Sequence, residues 1–383
     1  MNFLNDFILL LKARYPIIYV STYEEERIEY IIRLCCKKYV ARTYYSWDFI
    51  NGYQGNPNDS GFAAKNPIEA LELVEEEISD PENGQIQIKL KIISMDAGTR
   101  MWMSDRQDSY QPPIELGSSM VGVCLAEVVK SSNPAFSKGD LVRGFGEWSD
   151  FANVDAESFL VLEKGLDCDE AYLSALGLNG WTAYVGVMEV GKPKPGENFL
   201  VSAAAGATGS LAGQIAKKAG CRVIGLAGSR EKCDWLTNDL GFDVAINYKE
   251  ENLDQALKKH CPEGIDIYFD NVAGDILNTV MQNLALNARI PLSGLLAQYN
   301  KEGARLPGPE NFDQILMKRA TITGFFCPDF LDDGPKIETL LAEWYKDGSL
   351  KFKADITEGL ENVLVAYKKI FTGENIGKTL VKL

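Results

Sequence analysis

The chain has 383 residues, with 39 Lys plus Arg against 54 Asp plus Glu, for a formal charge of −15. At 46% hydrophobic and 24% charged residues the composition is that of a folded globular protein, long enough for two or three domains of roughly 100–200 residues. The acidic balance argues against nucleic acid as a partner, because phosphate-backbone contacts need clustered Lys and Arg. The eight cysteines are scattered with no C-x-x-C pair. The apolar stretch at 7–11 is too short for a secretory leader and follows Asp6. No apolar run reaches the ~18 residues of a membrane span. A reducing cytoplasm and no membrane partner are therefore expected. The one histidine, His260, lies in a polar stretch and reads as a solvated surface residue. No His, Cys or carboxylate cluster has zinc-ligand spacing, so no metal is expected.

In chain order, residues 1–82 read as an extra α/β segment. Phe3, Phe7, Leu10 and Leu11 share a helical face that stops near Pro16. Residues 17–20 form a short β-rich run. Ser21 or Thr22 then caps a helix with Glu24 or Glu25 completing the capping box, and Ile28, Ile31, Ile32 and Cys35 make its buried stripe. A second strand is expected over 39–47, a loop over 51–60, a short acidic helix over 67–78 and a junction at 80–84. The KARYP run at 12–16 and the YEEER helix start at 23–27 resemble the N-terminal region of a cyanobacterial and plastid AAA-type ATPase family. The ATPase half does not follow. The only near-match to a P-loop, at 373–379, has three residues between its glycines where four are needed, and no room remains for the helix.

From residue 85 the texture becomes β-rich. Ile86, Ile88, Leu90 and Ile92 alternate onto one strand face, and short strands follow at 121–123, 128–129 and 141–142. Strand–helix alternation from about 166 to 322 implies a parallel α/β sheet. The end, 323–383, holds an amphipathic helix at 337–346 and a closing strand around Leu380. The domains expected are thus 1–82, a β-rich domain made of 83–165 plus 323–383, and an α/β domain at 166–322.

One turn carries chemistry. A compact β-run at 198–203 enters Gly206, Ala207, Thr208 and Gly209, and a helix follows through Lys218. Strand, glycine turn and helix in that order are the setting of a dinucleotide site. Gly206 lets the backbone approach a pyrophosphate, Gly209 permits close helix–strand packing, and the helix N-terminus offers free N–H groups. The next strand ends at Gly228 and Ser229 rather than at the acid that holds a ribose hydroxyl in NAD sites, and Lys232 follows. A 2′-phosphate is tolerated there, favouring NADPH over NADH. The alternative is that Lys232 and Arg230 merely coat a helix.

At this point the chain, from about residue 85 to its end, resembles the zinc-independent medium-chain dehydrogenase/reductase superfamily, in its prostaglandin and leukotriene reductase/alkenal double-bond reductase branch. The matching stretches are 201–210, 228–232, 241–249, 268–272, 296–300 and 373–379, in the family's order. The resemblance implies a Rossmann doubly wound parallel sheet beside a GroES-like β-rich catalytic domain, a homodimer, and an NADPH-dependent reductase of carbon–carbon double bonds conjugated to a carbonyl. Gly206 to Gly209 would hold the pyrophosphate and Lys232 with Tyr248 the 2′-phosphate. Asn271 would reach the cofactor with its amide. Ser293, Gly294, Leu295, Leu296, Ala297, Gln298 and Tyr299 would line the nicotinamide end with Phe325, Phe326 and Cys327, and Asn375 would contact the nicotinamide ribose. Tyr299 is the candidate catalytic residue, a phenol that donates to the developing enolate oxygen. The other reading is that it only packs on the nicotinamide.

The chain departs from the family in four places. Its extra N-terminal segment stands where the first strands of the catalytic domain would be, the family's tyrosine after the strand at 92–93 would fall near Gly98 so that a substrate-facing hydroxyl is lost, Ala273 replaces a glycine, and Asn179-Gly180 replaces a Pro-Gly. Two further readings follow from these departures: an NADPH-binding redox sensor impaired in turnover, or a quinone reductase.

Overall fold

The computed structural model describes residues 46–48, 52–54, 71, 73–104, 109, 111–115, 117–162, 168–299 and 308–383. The chain divides into two compact units, 1–72 and 73–383. In the first, β1 (Ser46–Asp48) pairs antiparallel with β2 (Gly52–Gln54), Trp47 opposite Tyr53. The loop expected at 51–60 therefore contains a strand. The expected helices and strand between residues 3 and 35 lie outside the described residues.

In the second unit, residues 73–80 are not the expected helix but an extended segment. Glu75, Glu76 and Glu77 are adjacent like charges, and Pro81 ends any helix. The Ser79 carbonyl is satisfied instead by the side-chain amides of Gln87 (2.9 Å) and Asn153 (3.0 Å).

A β-rich sheet follows: β3 (Gln85–Ser94), β4 (Val121–Ser131), β5 (Leu141–Glu147), β6 (Phe151–Asp155) and β7 (Phe159–Val161). The end of the chain returns to it as β14 (Ala354–Glu358) and β15 (Lys378–Lys382), giving the order β14-β15-β3-β4-β5-β7, with β6 paired to β3. The two strands expected at 121–123 and 128–129 are one continuous β4. The single buried face expected of β3 is broken at Gln87, buried on the other face, and again beyond Leu90. The register against β4 shifts between Leu90 and Ile92, after which Ile92 and Ile93 are both buried. A single helical turn, α1 (Thr99–Trp102), follows β3.

Helix α2 (Leu178–Tyr184) runs on as a π-helical turn, Val185–Gly191, into the α/β lobe. Strands β8 (Asn198–Val201), β9 (Arg222–Ala227), β10 (Val244–Asn247), β11 (Ile265–Phe269), β12 (Leu284–Leu292) and β13 (Thr321–Gly324) form one sheet ordered β10-β9-β8-β11-β12-β13. Every pair in it is parallel. Alternation divides the strand side chains between two cores. Phe199, Val201, Val223 and Phe269 face α3 (Ala207–Lys218), while Leu200, Ile224, Ile246 and Tyr268 face the layer of α5 (Leu253–His260) and α6 (Gly274–Met281). Helix α4 (Arg230–Asn238) links β9 to β10, α7 (Asp313–Lys318) precedes β13, and α8 (Gly334–Lys346) follows it. Helix α9 (Val363–Thr372) was not expected from the sequence. The chain leaves β8 for one side of the sheet and returns to β11 for the other. The carboxyl ends of β8 and β11 therefore flank a crevice where such sheets bind ligands.

Candidate active site

At the carboxyl end of β8 the chain turns through Ala203, at a left-handed φ of 46°, into Gly206, the N-cap of α3. A Cβ on Gly209 would stand 2.3 Å from the Ala203 carbonyl oxygen, and one on Gly206 3.1 Å from it. Only glycine at 209 lets the helix begin so close to the turn. No side chain caps α3 and no acid sits in its first turn, so its end is open to an anion.

The C-terminal segment closes over this turn. Gly377 donates its N–H to the Ala205 carbonyl at 2.7 Å and forms a bridge with Gly206. Asn375 lies in the same segment, its amide donating to the Gly377 carbonyl at 3.2 Å. Lys232, on α4 behind an N-cap made by Ser229, reaches the Gly373 carbonyl at 2.8 Å. Burial and neighbouring Lys249 lower its pKa. A Cβ on Gly228 would meet Lys249 Cε at 3.1 Å and Tyr248 Oη at 3.2 Å. Gly228, Lys232, Tyr248 and Lys249 thus surround one spot beyond the end of β9. The sequence reading missed Lys249, although a cation next to Tyr248 was a signal.

At β11, buried Asp270 organises the second wall. Its Oδ1 accepts from Tyr268 Oη (2.7 Å), Ser202 Oγ (3.2 Å) and the backbone N–H groups of Val272 and Ala273 (2.9 Å each). Desolvation raises its pKa. Ala273 pays for this turn with φ 61°, ψ −151°, a region that suits glycine and costs roughly 1–3 kcal/mol otherwise. One Asn271 amide hydrogen goes to the Ser202 carbonyl at 2.8 Å, tying the ends of β8 and β11 together.

The loop 293–299 folds back over that turn. The N–H groups of Ser293 and Gly294 reach the Asp270 carbonyl, Leu296 that of Asn271 and Ala297 that of Val272, while Gln298 bonds back to Leu295. Tyr299 Oη accepts the Leu295 N–H at 3.1 Å, and burial raises the phenol pKa. The phenol is therefore neutral, and its own hydrogen remains available to donate. It lies close enough to buried Tyr367 of α9 for the two to interact electrostatically. Tyr367 Oη meets Thr99 Oγ1 at 2.6 Å, and its ring stands edge-on to Trp148 (5.4 Å). Phe325 packs edge-on to Phe269 at 6.3 Å. Cys327 is buried, its thiol pushed up to about 11, and Phe326 stands at the surface, 37% exposed. Among the described residues no three His, Cys, Asp or Glu side chains gather as metal ligands would.

Residues 53–162 match the family model described as the N-terminal domain of oxidoreductase, and 207–343 the one described as zinc-binding dehydrogenase. A putative NADP-dependent oxidoreductase, YfmJ, of Bacillus subtilis is 41% identical over 308 residues, covering 80% of this chain and 90% of the relative. The chain belongs to the medium-chain dehydrogenase/reductase family. Another family relative, the NADPH-dependent curcumin reductase of Escherichia coli, is 35% identical over 82% of this chain and 92% of its own length. The 2-alkenal reductase (NADP(+)-dependent) of Nicotiana tabacum is 38% identical over 87% and 95%. The crystal structure of CurA from Vibrio vulnificus in complex with NADPH superposes with a TM-score of 0.76 at 36% identity, covering 81% of this chain and 93% of that one. Residues 3–89 match the N-terminal domain of a SpoVK-like AAA ATPase. The family resemblance therefore holds for both parts of the chain.

Proposed function

We propose that the protein is an NADPH-dependent reductase of carbon–carbon double bonds conjugated to a carbonyl. The residues fit the coenzyme: the Gly206–Gly209 turn with Ala207 and Thr208 cradles a pyrophosphate, and Lys232, Tyr248 and Lys249 take the 2′-phosphate. NADPH bound there supplies the hydride that reduces the β-carbon. Negative charge then develops on the substrate's carbonyl oxygen, and a donor aimed at that oxygen stabilises the transition state more than the ground state. Tyr299 is that donor. The observation carrying this reading is its hydroxyl, whose oxygen is already filled by the Leu295 N–H. Asn271 acts by pinning the 293–299 loop, Asn375 faces the nicotinamide ribose, and Phe325, with Cys327 behind it, backs the nicotinamide end. A panel of enones, alkenals, quinones and aldehydes assayed by NADPH oxidation should show turnover confined to activated double bonds. Preference for quinones, or tight NADPH binding with no turnover, would reverse the assignment.

We divide the chain into an N-terminal α/β segment at 1–82, a catalytic domain at 83–165 plus 323–383, and a nucleotide-binding domain at 166–322. We also place it in a reducing compartment, the cytoplasm. Support comes from the six cysteines free among the described residues and from the lack of any described helix long and apolar enough to cross a membrane. β13 is an edge strand, and Phe312, Leu316 and Met317 beside it are exposed. Edge strands and apolar patches of this kind attract a second chain, so a homodimer joined through β13 is expected. Sedimentation giving a monomer at micromolar concentration would remove it.

A further inference from the structure

Position 179, where the family resemblance leads one to expect proline, holds an asparagine at the second position of α2. A backbone N–H in that first turn has no helical acceptor, so the backbone alone does not call for a residue with an N–H. What asparagine adds is its side chain, and that side chain is only 9% exposed. Its amide nitrogen donates to Thr208 Oγ1 at 3.2 Å. Thr208 is the second residue of α3, at the open helix end that faces the pyrophosphate.

A hydroxyl has one hydrogen and two acceptor positions. With one acceptor position taken by Asn179, the Thr208 hydrogen is directed away from the amide. Without Asn179, the same hydroxyl is free to turn back onto a carbonyl of the preceding turn, as helical threonines do.

Asn179 is itself held from the β-rich side. The buried ion pair of Lys378 Nζ with Asp96 Oδ1 measures 2.6 Å, and Lys378, 1% exposed, also donates to the Met95 carbonyl at 3.1 Å. Ser94 donates to the other Asp96 oxygen. Burial alone would raise the Asp96 carboxyl, but Lys378, assisted by Ser94 and Asn179, outweighs it and keeps the group ionised. The Asn179 amide is among the groups that favour the ionised Asp96, and because a carboxylate is acceptor-only this favours nitrogen over oxygen on that side of the amide.

We propose that Asn179 is a positioning residue for coenzyme binding: it holds the Thr208 hydroxyl as a donor to the pyrophosphate. The proposal rests on the glycine turn being the pyrophosphate site. It is tested by calorimetric titration of the full chain with NADPH and with adenosine 2′-monophosphate, which lacks the pyrophosphate. Asn179→Ala should raise the Kd for NADPH roughly five- to tenfold, the scale of one good hydrogen bond, and leave that of the monophosphate unchanged. Thr208→Val should give the same selective loss, and the double variant no more than either alone. Asn179→Asp, nearly isosteric, should lose more than alanine for NADPH only, because its carboxylate accepts where the amide donated and faces Asp96. A thermal melt confirms that each variant is folded. Equal weakening toward both ligands, an additive double variant or undiminished NADPH affinity would each overturn the proposal. A wild-type chain that binds the monophosphate as tightly as NADPH would instead remove the pyrophosphate site itself.

Discussion

Lys232→Ala is expected to raise the Kd for NADPH by roughly ten- to hundredfold and to leave the Kd for NADH within about twofold. The magnitude is that of a hydrogen bond to a charged group, ~1.5–3 kcal/mol. The direction follows from the surroundings. Lys232 and Lys249 repel each other, and burial together with that repulsion lowers the Lys232 pKa. A dianionic phosphate between them relieves the repulsion, and the unphosphorylated dinucleotide does not. NADPH affinity should accordingly fall on the alkaline side, as Lys232 loses its proton at a lower pH than an ordinary lysine. Added salt should narrow the preference. The competing role is visible too: Lys232 holds the Gly373 carbonyl and through it the segment carrying Asn375. If that tie were its main work, both dinucleotides would weaken together. Fluorescence titration of the two coenzymes against wild type and variant separates these outcomes.

The parts of this site legible in the sequence are those whose chemistry is local. Gly206 and Gly209 are demanded by a strand, a turn and a helix that are consecutive in the chain, and the absence of an acid after β9 is read within thirty residues of them. What remained hidden depends on contacts between distant segments. Buried Tyr367 bonds through its hydroxyl to Thr99, 268 positions earlier. Helix α9 itself carries Val363, Ala366, Tyr367, Ile370 and Phe371 on one face, so the helix was legible in the spacing and its distant partner was not. Asn271 is legible as a strand-end residue, whereas the bond from one of its amide hydrogens to the Ser202 carbonyl, 69 positions away, is not. The acidic run at 73–78 has helix-forming residues, but adjacent like charges and two side-chain amides that claim the Ser79 carbonyl favour extension. Ala273 and Asn179 were noticed only as departures. The first is a strained turn residue, and the second is a link between Thr208 and the buried Asp96.

Tyr299→Phe removes one oxygen and little volume, and with that oxygen go both the donor hydrogen and the acceptor of the Leu295 N–H. Turnover of an enone should drop by roughly a hundred- to a thousandfold, the range found when one oxyanion-stabilising donor is deleted, while the Kd for NADPH stays within about twofold. Two features make the native phenol suited to this. Burial keeps its pKa raised, so it is neutral and protonated through the physiological range. The Leu295 N–H donates to its oxygen, which polarises the O–H bond and leaves the hydrogen to point at substrate. The variant also loses that acceptor, leaving the Leu295 N–H without it and loosening the 293–299 loop. The loop's other anchors, on the Asp270, Asn271 and Val272 carbonyls, are untouched. A loosened loop would raise KM, whereas a lost donor lowers kcat with KM little changed. Steady-state kinetics at saturating NADPH distinguish the two. A variant whose kcat matches wild type would reduce Tyr299 to a packing residue.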